Sequence, residues 1–160
     1  MRANRAKDTG PELTLRHELA ALGVRGYRVS PRDIPGRPDL VFTNVRLAVF
    51  VHGCFWHRCP RCRLPLPKTH TGWWKAKFLG NRERDASKEA LLRKGGWRVL
   101  TIWECEIRKD ADGCARRVRS YFVRGRVTRR VRQGCSGDPG VPTASLTPPQ
   151  RSRAVVPPSG

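Results

Sequence analysis

Between Leu47 and Cys62 the chain reads LAVFVHGCFWHRCPRC, and three kinds of chemistry meet there. Cys54, Cys59 and Cys62 are spaced C-x4-C-x2-C, and Cys105 follows a second apolar run, Trp97–Trp103. Four thiolates delivered by separate segments are what a tetrahedral structural Zn2+ needs. Buried or redox-active thiols are the alternative that spacing alone leaves open. His52 and His57 carry imidazoles whose pKa near neutrality suits proton transfer at a phosphodiester, although a lone histidine is more often a hydrogen-bonded structural group. Phe55-Trp56 and Trp73-Trp74, the latter among Lys68, Lys75 and Lys77, could stack on bases or wedge between them. Core packing would account for at least two of these rings equally well.

A carboxylate enters from upstream. Gly36-Arg37-Pro38-Asp39 leads into the apolar run Leu40-Val41-Phe42. A carboxylate at a strand start could hold Mg2+, which prefers oxygen ligands and keeps several waters. On its own Asp39 reads as a turn residue; the neighbouring strand end bearing His52 and His57 is what turns it towards chemistry. Glu12 follows Thr9 by three residues, as in a capping box, and could equally orient a histidine or a water. Cys114 and Cys135 stand apart and read as ordinary small residues or free thiols.

These groups need elements to position them. Thr9-Gly10-Pro11-Glu12 opens a helix that continues through Leu15, Leu19 and Leu22 and stops at Gly23. A short strand is expected over Gly26–Val29, then strands over Asp39–Phe42 and Arg46–Val51 joined by a tight turn at Thr43-Asn44. Pro60, Pro65 and Pro67 make Arg58–Gly72 irregular. A helix over Trp73–Lys94 ends at Gly95-Gly96, a strand covers Trp97–Trp103, and a last helix covers about Ala111–Phe122. Trp97 and Trp103 read as core residues of that strand. The order α-β-β-β-α-β-α predicts a mixed α/β sheet covered by helices.

The chain has 160 residues and a formal net charge of +20. Its Arg and Lys are spread along most of its length, a field that favours polyanions and nucleic acid first; a ribosome-associated or merely basic protein is the plainer alternative. No run of apolar residues is long enough for a membrane helix, and no signal-peptide core opens the chain. A cytoplasmic, nucleoid-associated location is therefore expected, where clustered cysteines suggest metal rather than disulfides. Residues 1–124 read as one domain; residues 125–160, rich in Pro, Gly and Ser with an arginine cluster at their start, read as a disordered basic tail.

GRPD at Gly36–Asp39, HGCFWH at His52–His57 and WEC at Trp103–Cys105 together resemble the very short patch repair (Vsr) DNA mismatch endonucleases. The opening MRANRAKDTGPE, the segment THTGWWKAKFLGN at Thr69–Asn81 and the run Asn81–Asp85 support the likeness, which spans about Met1 to Arg117. The resemblance implies a restriction-endonuclease-like fold with a structural zinc, and Mg2+-dependent nicking of duplex DNA 5′ of the thymine in a T·G mismatch left by deamination of 5-methylcytosine. It further implies Asp39 as the Mg2+ carboxylate with the Val51 carbonyl beside it, His57 as main catalytic histidine, His52 as a second, and Glu12 as an accessory acid. Cys54, Cys59, Cys62 and Cys105 would hold zinc, and Phe55, Trp56 and Trp74 would intercalate beside the mismatch. The second acidic residue and the lysine usual in restriction nucleases are absent from the strand reading Phe50-Val51-His52, as suits a family whose histidines replace that lysine. A monomer is expected, since nicking one strand needs one site, and a mismatch-repair protein is a conceivable partner. Two rival readings share the fold: a zinc-stabilised DNA-binding module without catalysis, and a nuclease with another DNA target.

Overall fold

The computed structural model describes residues 8–134, with residues 128–134 described by backbone alone. Met1–Lys7, Cys135 and the remainder of the expected tail lie outside the described residues. Four strands form one sheet in the order β1-β2-β3-β4: β1 Arg28–Val29, β2 Leu40–Phe42, β3 Leu47–His52 and β4 Arg98–Trp103. The first two pairings are antiparallel, while β3 and β4 run parallel and are linked through a long helix. The helices are α1 Gly10–Ala21, α2 Thr71–Lys94, α3 Glu104–Lys109 and α4 Ala111–Gly134.

The apolar run of β3 is continuous because both of its faces are covered. Leu47 and Val49 join Leu15 and Leu19 of α1 and Ala115 and Val118 of α4 in the larger core. Ala48 and Phe50 point the other way and meet Leu92 of α2, with Trp97 packed alongside. Helices therefore lie on both faces of an open mixed sheet. Among the described residues, no helix is long and apolar enough to cross a membrane.

Three local features depart from expectation. The link between β2 and β3 is a 3-10 turn over Thr43–Val45 closed by Arg46 in the left-handed region, not a tight turn at Thr43-Asn44. Helix α3 was not anticipated. Its six residues are too few for a hydrophobic period to register, and its start is set by Glu106 accepting the Trp103 N–H at 2.8 Å. Helix α4 continues to Gly134 instead of stopping near Phe122, so residues 125–134 are helical where composition suggested a disordered tail. Gly125, read as the start of that tail, is instead a point of close approach: a Cβ there would stand 2.8 Å from Val45 Cβ and collide with the Arg98 guanidinium.

Candidate active site

Topology brings the carboxylate to the histidines. Because β2 runs antiparallel to β3, with Leu40 opposite Val49, the residue before β2 lies beside the end of β3. Asp39 Oδ2 accepts the Val51 N–H at 2.7 Å. Its carboxyl is raised from the usual 3.8 to about 6, chiefly by burial, with Glu12 pushing the same way and the Val51 N–H and Lys88 opposing. Glu12 is itself buried, 7 % exposed. Its Oε1 accepts from Thr9 Oγ1 at 2.7 Å and its Oε2 from the Asp8 N–H at 3.0 Å. Neither half of the expected capping box forms, since Thr9 makes no side-chain bond to the helix backbone and Glu12 takes the N–H of Asp8 rather than that of Thr9. Thr9 spends its hydroxyl on the carboxylate instead. Glu12 thus organises the helix start and lines the same cavity as Asp39.

That cavity, of about 470 Å3, is also lined by His52, His57, Trp56, Asp85, Lys88 and Glu104. His52 closes β3, and His57 returns over it from the following turn, the two imidazoles stacking at 4.1 Å between centroids and 9° between planes. Burial first, and the neighbouring His57 second, lower His52 to about 4, so it is neutral at physiological pH. His57 Nδ1 is paired with the carboxylate of Asp85. This orients the ring and directs Nε2 away from the pair, the arrangement in which a carboxylate sets a histidine's tautomer. Trp103, expected only as core, stands edge-on to His52 at 5.4 Å.

Asp85, Lys88 and Glu104 were not singled out from sequence. The signal existed: Asn81, Asp85 and Lys88 recur at i, i+4 and i+7, one face of a helix. That face of α2 turns to the site, with Asn81 Nδ2 donating to the Trp56 carbonyl at 2.9 Å.

The four cysteines named from spacing converge. Their Sγ atoms all lie within 4.8 Å of one another. Cys59 and Cys105 sulfurs stand 3.8 Å apart, matching the edge of about 3.8 Å for a tetrahedron with Zn–S bonds of about 2.3 Å. Cys54 follows β3, Cys59 and Cys62 come from the proline-bearing loop, and Cys105 lies in the first turn of α3. Two carboxylates brace the cluster. Glu104 Oε2 accepts the Cys54 N–H at 3.1 Å. Glu106 receives Arg61 from the cysteine loop at 2.5 Å and Arg117 from α4 at 2.9 Å. Burial would raise Glu106, but hydrogen bonds from Arg117, the Trp103 N–H and Arg61 outweigh it and hold the carboxyl at about 2. Cys114 lies apart in the larger core, as expected of an ordinary small residue.

The aromatic residues also gather. Phe55 meets Trp56 at 5.2 Å and Trp74 at 5.4 Å, all three half-buried, over the buried ring of Phe78 at 5.2 Å. Phe78 is a floor that sequence reading missed. Trp73 packs edge-on to Trp74 yet remains 58 % exposed.

Residues 1–62 match the model of a family described as DNA mismatch endonuclease Vsr. A type II nicking enzyme, V.XorIIP, of Xanthomonas oryzae pv. oryzae is 44% identical over 123 residues, covering 76% of this chain and 88% of the relative. The chain belongs to the Vsr family of DNA endonucleases. The DNA mismatch endonuclease Vsr of Escherichia coli strain K12 is 41% identical over 108 residues, or 68% of this chain and 69% of that protein. A further nicking enzyme, V.NmeAIP of Neisseria meningitidis serogroup A, is 36% identical over 130 residues, covering 80% and 84%. As a Vsr-family enzyme the chain hydrolyses phosphodiester bonds of DNA, and its +20 charge is the complement of that polyanion.

Proposed function

We propose that this chain is a Mg2+-dependent, strand-specific endonuclease that nicks duplex DNA 5′ of the thymine in a T·G mismatch and so begins repair of deaminated 5-methylcytosine. The observation that carries the reading is the meeting of Asp39, His52 and His57 in one cavity lined also by Trp56, against which Phe55 and Trp74 pack. The relatives, a mismatch endonuclease and two nicking enzymes, support the same reading.

The donor set suits the proposed metal. Asp39 engages one oxygen with the Val51 N–H, and burial raises its pKa by more than that N–H and the nearby Lys88 lower it. Mg2+ held there would withdraw charge from the scissile phosphate. His57, oriented by Asp85, would take at Nε2 the proton of the attacking water as the new phosphorus–oxygen bond forms and the ester bond to the leaving sugar oxygen breaks. His52, neutral and stacked beneath it, fixes the ring and excludes water from its face. Glu12 keeps a second carboxylate near Asp39. Cys54, Cys59, Cys62 and Cys105 would bind one structural zinc, tying the loop that carries His57 to β4 and α3. Phe55, Trp56 and Trp74 would enter the base stack, which costs a few kcal/mol and least at a mismatch, so the same rings favour the damaged site.

The test is a nicking assay on a labelled duplex with one T·G mismatch and on its T·A control, with and without Mg2+. A single Mg2+-dependent nick beside the mismatched thymine, lost in Asp39→Ala and His57→Ala while both variants still bind the duplex, is the expected result. Binding without any nick would instead identify a zinc-stabilised DNA-binding module. Equal cleavage of both duplexes would identify a nuclease with a different target.

A further inference from the structure

Lys88 stands where the loop before Asp39 rests on α2. Gly36 has φ +75°, and a Cβ there would lie 2.8 Å from Lys88 Cβ, so the loop backbone sits directly on the lysine stem. Lys88 lines the catalytic cavity and also a second one of about 510 Å3 walled by Trp56, Trp73, Lys77 and Arg84. It therefore stands on the partition between the two.

The electrostatics of the first cavity are unbalanced for a nucleic-acid substrate. Four carboxylates line it, Glu12, Asp39, Asp85 and Glu104, against two cations, Arg37 and Lys88. The carboxylates are engaged elsewhere: Glu12 with Thr9 and Asp8, Asp39 with the Val51 N–H, Asp85 with His57, and Glu104 with Arg108 and the Cys54 N–H. Arg37 is exposed at the mouth, whereas Lys88 is half-buried. Among the described residues Lys88 has no salt-bridge partner, and its charge is felt at both Asp39 and His52. An unpaired, half-buried ammonium among carboxylates has an obvious counterpart in an incoming phosphodiester, which those carboxylates would otherwise repel.

We propose that Lys88 is a phosphate-binding residue of this site, its ammonium pairing with the scissile phosphate beside Asp39. The proposal rests on the reading that this cavity nicks duplex DNA. It gives the site a lysine delivered from a helix, where the strand Phe50-Val51-His52 carries none.

The experiment compares the full-length protein with Lys88→Met, Lys88→Arg and Lys94→Met, the last an equal loss of charge in the exposed final turn of the same helix. Nicking of the T·G duplex is measured under saturating and limiting DNA, and duplex binding by fluorescence anisotropy over a series of NaCl concentrations. Lys88→Met is expected to lower kcat about 10²-fold, the scale of losing one preorganised donor to a developing charge. Its plot of log affinity against log salt should flatten by about 0.9, the slope of one phosphate contact. Lys88→Arg should recover most of kcat, Lys94→Met should nick at the parental rate, and all variants should melt with the parent. Parental kcat together with a parental salt slope in Lys88→Met would overturn the proposal. So would a Lys88→Arg protein as slow as Lys88→Met and melting below the parent, which is the mark of a structural role. If the parent nicks no duplex, the catalytic reading fails by itself, and the salt slope of Lys88→Met alone then decides whether Lys88 holds a phosphate.

Discussion

Replacing Asp39 by asparagine should abolish nicking and at the same time make the metal-free protein more stable at neutral pH. The Asp39 carboxyl is raised from 3.8 to about 6, with burial the largest cause and the nearby Glu12 adding to it. A carboxyl whose folded pKa is raised favours folding only while it is protonated. Its contribution is complete below about 3.8 and is lost as pH rises through about 6. At about 1.4 kcal/mol per pKa unit, the ionised form costs the folded state about 3 kcal/mol above that range. Asparagine keeps the shape and an oxygen to accept the Val51 N–H, and it carries no charge. Its added N–H group needs a partner of its own, so the net gain should be about 2 kcal/mol. Urea unfolding in magnesium-free buffer without chelator, so that any metal held by the cysteine cluster is left undisturbed, measures this at pH 8 and pH 4. At pH 8 the variant should be more stable by that amount, a rise in Tm of roughly 5–8 °C. The gain should vanish or slightly reverse at pH 4, where the folded parent is also neutral at this position and only the cost of the amide remains. A variant no more stable than the parent at pH 8, or a gain of the same size at both pH values, would refute the assignment of Asp39 as a destabilised, cation-seeking carboxylate.

Other substitutions follow from single contacts. Asp85→Asn leaves His57 without the carboxylate that orients it, and single-turnover nicking should fall about 10²–10⁴-fold while duplex binding measured by anisotropy is retained; a parental rate would remove Asp85 from the site. Cys105→Ser should cost the protein its zinc in native mass spectrometry and lower its melting temperature, whereas Cys114→Ser should leave the zinc content unchanged. Gly36→Ala places a methyl against Lys88 Cβ at a left-handed position and should destabilise by about 1–3 kcal/mol in urea unfolding; an unchanged midpoint would show that the loop does not rest on α2 as described.

The sequence was most readable where residue spacing and chain geometry coincide. The run Leu47–His52 is apolar because both faces of β3 are covered, and the cysteine spacing is tight because the loop turns back on itself within nine residues. It was least readable where an effect depends on groups far apart in the chain. Asp85 acquires its partner only when α2 crosses the end of β3, and Lys88 lies beside Asp39 only because Gly36 lets the loop come close. Helix α3 escaped notice because its start is fixed by Glu106 and two arginines from other elements rather than by its own periodicity. The end of α4 escaped because Gly125, ordinarily a punctuation mark, serves here to let a helix approach Val45.

The loop from Gly53 to Cys62 carries Phe55 and Trp56 of the aromatic cluster, the second histidine and three of the four clustered cysteines, and it is tied to both α2 and α3. Glu104 of α3 accepts the Cys54 N–H, Asn81 of α2 donates to the Trp56 carbonyl, Asp85 of α2 pairs with His57, and Glu106 of α3 pairs with Arg61. A segment held from so many sides cannot reposition its rings without also shifting its histidine. On the proposed reading, insertion of Phe55 and Trp56 into a base stack and placement of His57 at a phosphate would therefore be one mechanical event. A duplex that resists insertion would present its phosphate out of register with His57, which would make chemistry, and not binding alone, the step that discriminates. This argues that matched and mismatched duplexes should differ more in kcat than in affinity. Comparable rates at saturation with a large difference in Kd would show instead that the wedge and the histidine act independently.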